Sequence, residues 1–215
     1  MKFYPVYLVL RERPCLIIGG GEVAERKTLS LLEAGADVTI VSPSLSPKLA
    51  GLARTQKVRH FPRTFEERDL AGIFLVIAAT GSPEINTSVA RLCRKKHVLV
   101  NVAAPPEESS FIVPSVVERG DLVIAVSTSG DSPGLSKRIR RELEERYGRE
   151  YEVFLARMEA LRKRLKEEIA DEKKRREILE AVLDSDVLYL LKNGEPHEAD
   201  HRIEEIVRQL RQERS

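Results

Sequence analysis

CLIIGGGEVAERK, residues 15–27, joins a continuously apolar run to three glycines and the start of a polar, helix-forming segment. Gly19, Gly21 and Ala24 match the G-x-G-x-x-A pattern of the first turn in dinucleotide-binding βαβ units. Gly19 permits a tight turn, Gly21 lets the backbone approach a diphosphate, and Ala24 allows close packing of helix on strand. The free N–H groups at the start of the helix attract the anion. This stretch therefore predicts a Rossmann-type α/β fold.

Short β-rich runs alternate with helix-forming segments through residues 1–130. This alternation predicts a parallel, doubly wound sheet, and it favours a nucleotide site over a glycine turn that binds nothing. We predict strands at Cys15–Gly19, Asp37–Val41, Lys57–Phe61, Phe74–Ala79 and Val98–Val102, and helices at Val23–Ala34, Ser46–Arg54 and Pro83–Lys96.

The pattern changes after residue 110. Phe111–Val117 and Leu122–Ser127 flank a short polar turn and predict a hairpin or a tight strand connection. After Ser132-Pro133-Gly134 the composition shifts to Glu, Lys, Arg and Leu, which predicts a separate all-helical unit. We predict its helices at about 134–147, 150–169, 172–183, 186–192 and 197–212.

Composition excludes several classes of protein. Cys15 and Cys93 have no cysteine neighbours, so we expect neither a disulfide framework nor a zinc site, and we expect a cytoplasmic location. No apolar run approaches the roughly 18 residues of a membrane span, and the opening segment lacks a signal-peptide pattern. Acidic residues alternate with basic ones through the tail and no aromatic residues interleave, which argues against nucleic-acid binding.

The coenzyme is predicted to be NAD. The acidic residue that usually follows the glycine turn by about 20 positions is missing, because the chain reads Val41-Ser42-Pro43-Ser44 there. No arginine stands there to attract a 2′-phosphate either, so NADP remains an open alternative. Thr80 and Asn101 end strands at the same sheet edge, where they either bind the coenzyme or cap loops. The predicted cofactor-binding residues are Gly19, Gly21, Glu22, Val23, Ala24, Ser42, Pro43, Ser44, Thr80 and Asn101.

Several further stretches carry a resemblance to one family. They are Tyr4-Pro5-Val6, LLEAGA at 31–36, AAT at 78–80, NV at 101–102, SFIVPS at 110–115, AVSTSGDSPGL at 125–135 and the basic segment 137–141. Together with residues 19–27, they make the chain similar to the precorrin-2 dehydrogenase / sirohaem synthase N-terminal module family over about residues 3–210. Rossmann proteins in general do not share SFIVPS or the SGxSP segment.

The resemblance implies NAD-dependent oxidation of precorrin-2 to sirohydrochlorin in sirohaem biosynthesis, and some relatives also act as ferrochelatases. It implies a homodimer with a nucleotide-binding domain at 1–113, a dimerisation region at 114–146 and a helical domain at 147–215. Because the sequence ends at Ser215, we expect the stand-alone form without a methyltransferase module.

Precorrin-2 carries many carboxylates, so its site should offer cations and polar donors. The predicted substrate-binding residues are Ser127, Thr128, Ser129, Lys137 and Arg138. The alternative is an N-capping turn at 127–132, followed by a solvated helix with i,i+4 pairs such as Arg138–Glu142.

The catalytic group is unknown, because the family's aspartate past Asn101 corresponds to Ala104 here. Alanine neither transfers a proton nor ligates iron, which leaves iron insertion open. General-base assistance is worth about 10²–10⁴-fold in rate, so a slower dehydrogenase is expected without it. The remaining candidates are Asn101, Glu107, Glu108 and Asp131.

No metal site is predicted, since the i,i+4 pair His197 and His201 lies in a polar segment without supporting groups. Two other functions remain: a nucleotide-sensing NAD-binding regulatory protein, and a tetrapyrrole-binding homologue without catalysis, which Ala104 favours. The regulatory class usually keeps the acidic ribose residue and lacks the 110–135 segment.

Overall fold

A computed structural model describes residues 3–212, and the chain divides into two compact units, Met1–Val113 and Pro114–Ser215. In the first unit, five parallel strands form one sheet in the order β3-β2-β1-β4-β5. The strand order reverses direction between β1 and β4, which is where ligands bind in open α/β sheets. The strands are β1 (Pro14–Ile18), β2 (Asp37–Val41), β3 (Arg59–Phe61), β4 (Leu75–Ala78) and β5 (Leu99–Val102).

Three helices connect these strands: α1 (Glu22–Glu33), α2 (Pro47–Arg54) and α3 (Pro83–Lys95). The helices α2 and α3 begin alike, because Ser46 and Ser82 accept backbone N–H bonds through their hydroxyls and a proline follows each. Helix α1 begins at Glu22, and its N-cap residue, Gly21, provides no side-chain cap. Its first N–H groups are therefore left without a side-chain acceptor.

The sheet of the first unit is covered on both faces, as its nearly continuous apolar strands predict. Cys15 and Ile17 of β1 belong to one buried cluster, together with residues of α1 and α2. Leu16 and Ile18 belong to the other cluster, which includes the buried face of α3. Successive side chains of a strand point to opposite faces, so β1 contributes to both cores.

The second unit begins with a two-stranded antiparallel hairpin, β6 (Ser115–Arg119) and β7 (Leu122–Val126), as the sequence predicts. Gly120 occupies the turn at φ +58°. Five helices follow within the described part of this unit, and side chains of the last four form a buried core that includes Phe154, Leu165 and Ile178. The helices are α4 (Pro133–Arg146), α5 (Glu150–Glu168), α6 (Glu172–Leu183), α7 (Val187–Lys192) and α8 (Pro196–Gln212).

The prediction of a strand over Phe111–Val117 is wrong in its first half, because β6 begins at Ser115. The segment before it is held to the edge of β5 instead. The Ser110 hydroxyl accepts the Val100 N–H at 2.8 Å, and the Ser110 N–H donates to the Val100 carbonyl at 2.8 Å. Pro114 has no N–H to extend a ladder. The other predicted element ends agree with the structure to within two residues.

The division of residues 114–215 into a dimerisation region and a helical domain stays a prediction. Within residues 3–212, no helix has the length and apolar character to cross a membrane.

Candidate nucleotide-binding site

Three consecutive glycines form the turn between β1 and α1, and each has a different surrounding. Gly19 has φ +121°, and a Cβ there would overlap the carbonyl oxygen of Ala79. A Cβ on Gly20 would overlap the carbonyl oxygen of Ser44. A Cβ on Gly21 would have no atom within 4 Å. The first two glycines are therefore required by close backbone packing, and the third leaves open space.

A cavity of about 1180 Å³ lies at this turn. Its walls come from the segments that follow β1, β2, β3 and β4, which share the carboxyl edge of the sheet. The residues that line it are Ile18–Glu22, Glu25, Val41–Pro47, Thr64, Phe65, Ala79–Gly81, Ile85 and Ser88. Of the predicted cofactor residues, it brings together Gly19, Gly21, Glu22, Ser42, Pro43, Ser44 and Thr80.

The start of α1 suits a diphosphate. Gly21 precedes the helix without a side-chain cap, and the first backbone N–H to bond within the helix is that of Glu25, which donates to the Gly21 carbonyl at 2.9 Å. The preceding first-turn N–H groups and the space at Gly21 form a cradle for an anion. Ala24 is fully buried beneath it, as predicted for close packing, whereas Val23 lies outside the cavity lining.

The wall after β2 is held against the glycine turn by main-chain atoms. The Ser46 N–H donates to the Gly20 carbonyl at 2.7 Å. Ser42 lines the cavity but is only 6% exposed, and its hydroxyl donates to the Ser44 carbonyl at 2.7 Å. His60 donates from Nε2 to the Ser42 carbonyl at 2.9 Å, which gives this strand histidine a structural partner. Ser42 therefore shapes the wall chiefly through the loop that it stabilises.

An ion pair fixes the segment after β3. Arg63 donates to both carboxylate oxygens of Asp69, at 2.8 and 2.6 Å, and its guanidinium lies over the Phe61 ring. These hydrogen bonds hold the pKa of Asp69 below its usual value. Thr64 and Phe65, between the two partners, are thereby fixed at the cavity rim.

Asn86 organises the opposite wall, and the sequence reasoning missed it. Its side chain is fully buried in the first turns of α3. Oδ1 accepts the Thr80 N–H at 3.1 Å and the Thr80 hydroxyl at 2.8 Å, and Nδ2 donates to the Ala104 carbonyl at 2.9 Å. One amide therefore joins the loop after β4, which lines the cavity, to the loop after β5.

Asn101 and the acidic candidates near it lie outside the cavity lining. The Asn101 Nδ2 donates to the Phe111 carbonyl at 3.0 Å, which is the loop-holding alternative. Glu108 forms an ion pair with Arg94. Glu107 is exposed in the short 3₁₀ turn Pro106–Glu108.

The predicted substrate residues lie in the second unit. The Thr128 hydroxyl accepts the Ser132 N–H at 3.1 Å, and the Ser127 hydroxyl accepts the Ser129 N–H at 3.0 Å. Arg138 pairs with Glu142 at 3.0 Å, which is the i,i+4 pair of the solvated helix predicted as the alternative to substrate binding. Three further candidates, Ser129, Asp131 and Lys137, are partly or fully exposed. Substrate binding by these residues stays a prediction.

Two helical histidines, His197 and His201, belong to α8, and the Asp200 between them is bound by Arg157 at 2.6 and 3.2 Å. Among the described residues, no group of three or more His, Cys, Asp or Glu side chains could hold a metal ion.

The strand order, the glycine turn at the switch point and the uncapped helix start define a Rossmann-type nucleotide-binding fold. Three family models match consecutive parts of the chain. The models are described as "Putative NAD(P)-binding" at residues 6–115, "Sirohaem biosynthesis protein central" at 119–146 and "Sirohaem synthase dimerisation region" at 150–207. The chain belongs to the sirohaem synthase N-terminal module family.

Known proteins match over nearly the whole chain. It is 39% identical over 207 residues to a siroheme synthase of Thioalkalivibrio sulfidiphilus, covering 96% of this chain and 42% of that protein. It is 37% identical to a siroheme synthase of Methylobacillus flagellatus, covering 96% and 44%. The solved structure of "SirC, precorrin-2 dehydrogenase" matches with a TM-score of 0.78 and 28% identity, covering 94% of this chain and 100% of that one.

The chain thus spans about two fifths of the length of these two siroheme synthases. The family model described as the dimerisation region covers residues 150–207. These residues lie within the segment 147–215, which we predicted to be the helical domain.

Proposed function

We propose that this protein oxidises precorrin-2 to sirohydrochlorin with NAD as hydride acceptor. The observation that carries the proposal is the cavity at the strand-order switch point, where Gly21 leaves space beside an uncapped helix start. The match to a protein named precorrin-2 dehydrogenase over 94% of the chain supports the substrate. Bound NAD supplies the nicotinamide that accepts the hydride.

The protein's own contribution is to bind and orient. First-turn N–H groups of α1 would hold the diphosphate, and the lining segments after β2 and β4 would hold the rest of the coenzyme. A C–H bond of the macrocycle breaks as hydride leaves with its electron pair, and a proton leaves separately to water. Ala104 has no group to accept that proton, so we propose dehydrogenation without a side-chain base at this position.

Absorbance spectra of precorrin-2 incubated with the protein test this function. We expect sirohydrochlorin and reduced nicotinamide to appear in equal amounts, and only when NAD is added. Binding of precorrin-2 without conversion would instead support a tetrapyrrole carrier, the second candidate that Ala104 favours. Binding of NAD without binding of precorrin-2 would support a nucleotide sensor.

Iron insertion is measured in the same preparation. We propose that the protein does not accelerate it, because alanine at position 104 cannot ligate ferrous iron or accept a macrocycle proton. Sirohaem formation from sirohydrochlorin and ferrous iron at the uncatalysed rate is the expected result. An A104D variant that gains the activity would identify the missing carboxylate as its cause.

We also propose a homodimer. The description of the family model that matches residues 150–207 supports it, and so do exposed apolar side chains in the second unit. Val116 of β6 and Leu135 of α4 are 39% and 48% exposed. Light scattering coupled to gel filtration should give about twice the 24.3 kDa chain mass, and a single-chain mass would contradict the proposal.

A further inference from the structure

The charged side chains that line the nucleotide cavity are both acidic. They are Glu22 and Glu25, in the first turn of α1, and no lysine, arginine or histidine is among the described residues of the lining. A coenzyme with a diphosphate bridge would therefore be bound in this cavity through backbone N–H groups and not through cationic side chains. Any further phosphate would meet negative charge without a lining cation.

Glu25 is held in one place. Its Oε2 accepts the Ser46 hydroxyl at 2.6 Å, and Oε1 lies 3.9 Å from the Lys48 ammonium. The Glu25 side chain is 24% exposed, whereas that of Lys48 is 58% exposed. Ser46 is itself fixed to the glycine turn through its N–H bond to Gly20. The carboxylate therefore has a defined position between the glycine turn and the wall after β2.

That wall is the end of the cavity where Rossmann folds hold the adenosine ribose. The usual acidic residue at the end of β2 is absent here, since the wall carries Ser42, Pro43 and Ser44. The Ser42 hydroxyl is already donated to the Ser44 carbonyl. Glu25 reaches the same wall from α1 and supplies the negative charge that the end of β2 lacks.

We propose that Glu25 sets the coenzyme preference, disfavouring NADP by repelling its 2′-phosphate and so favouring NAD. This inference rests on the proposed function, which requires a nicotinamide coenzyme in this cavity. Taking a separation of about 6 Å in a water-like dielectric, the repulsion between one carboxylate and a 2′-phosphate of about two negative charges would weaken NADP binding about tenfold. Lys48 offsets part of that repulsion in the native protein.

The test compares dissociation constants for NAD and NADP, measured by calorimetry on the full chain. Glu25→Gln removes the charge but keeps an oxygen that accepts the Ser46 hydroxyl. The ratio of the NADP constant to the NAD constant should fall about tenfold. Glu22→Gln is the matched control: it removes an equal charge beside the diphosphate, which both coenzymes carry, so both constants should change together.

A second variant works in the opposite direction. Lys48→Met removes the cation beside Glu25 and should raise the ratio, and this readout remains if Glu25→Gln fails to fold. Three results would overturn the inference: an unchanged ratio in Glu25→Gln, a shift of the ratio in Glu22→Gln equal to that in Glu25→Gln, or wild-type protein that binds NADP as tightly as NAD. In each case, NAD binding would still support the proposed function. Wild-type protein that binds neither coenzyme would overturn the proposed function, and this inference with it.

Discussion

Gly21→Ala separates coenzyme binding from folding. Gly21 has φ −88° and ψ −169°, an extended conformation that alanine adopts, and no atom lies within 4 Å of the added Cβ. The folded protein therefore accommodates the methyl group. Because Gly21 lines the cavity at the start of α1, the methyl group occupies the space through which the diphosphate reaches the first-turn N–H groups.

The expected loss follows from those N–H groups. Hydrogen bonds to charged groups contribute about 1.5–3 kcal/mol each. Loss of one such bond weakens NAD binding by at least about tenfold, since about 1.4 kcal/mol corresponds to a factor of ten. Stability should change by less than about 1 kcal/mol, because alanine restricts the unfolded chain more than glycine does but is the poorer residue at a helix N-cap.

Calorimetric titration with NAD and thermal unfolding measure the two effects on the same sample. Gly20→Ala is the control, because its Cβ would overlap the Ser44 carbonyl oxygen and should lower the melting temperature. If Gly21→Ala binds NAD within twofold of wild type, the diphosphate does not lie against this turn and the proposed coenzyme geometry is refuted.

Three further outcomes are expected elsewhere in the first unit. N86A removes a fully buried side chain and leaves the part-buried Thr80 N–H and Ala104 carbonyl without their Asn86 partner, and it should cost about 1–3 kcal/mol in denaturant unfolding; a loss under about 0.5 kcal/mol would contradict this role. The Asp69 carboxylate, whose pKa Arg63 lowers, stabilises the fold above the ordinary carboxyl pKa of about 3.9, and this contribution disappears as pH falls through the lowered folded value. The stability gap between wild type and D69N should therefore close in acid, and a gap that widens there would exclude the ion pair as its source. Burial raises the pKa of the Cys15 and Cys93 thiols to about 11, so a thiol reagent at neutral pH should modify them only on unfolding, and rapid labelling of native protein would contradict their burial.

The fold could be predicted from the sequence because its local signals agree with its packing. Apolar runs such as that of β4 become central strands buried on both faces. Ser82 before Pro83 marks the start of α3 through ordinary capping chemistry. The strand predicted over Phe111–Val117 is wrong in its first half. Its β-rich composition does not reveal that Ser110 bonds the edge of β5, or that Pro114 interrupts any ladder.

The candidate site was only partly predictable. The residues of the glycine turn follow from a contiguous pattern, which fixes both their conformation and their place at the sheet edge. Glu25 and Asn86 belong to helices that otherwise have ordinary amphipathic sequences, and their roles depend on bonds to Ser46 and Ala104, 21 and 18 positions away. Spacing within one element carries no information about such pairings.

The bond between the Ser46 amide and the Gly20 carbonyl has a consequence for evolution. It uses main-chain atoms, as does the close approach of Gly20 to Ser44, so neither contact depends on which side chain occupies position 44. That side chain is free to vary without removing these contacts. During evolution, single substitutions at this position can therefore change the preference between NAD and NADP while the backbone stays fixed.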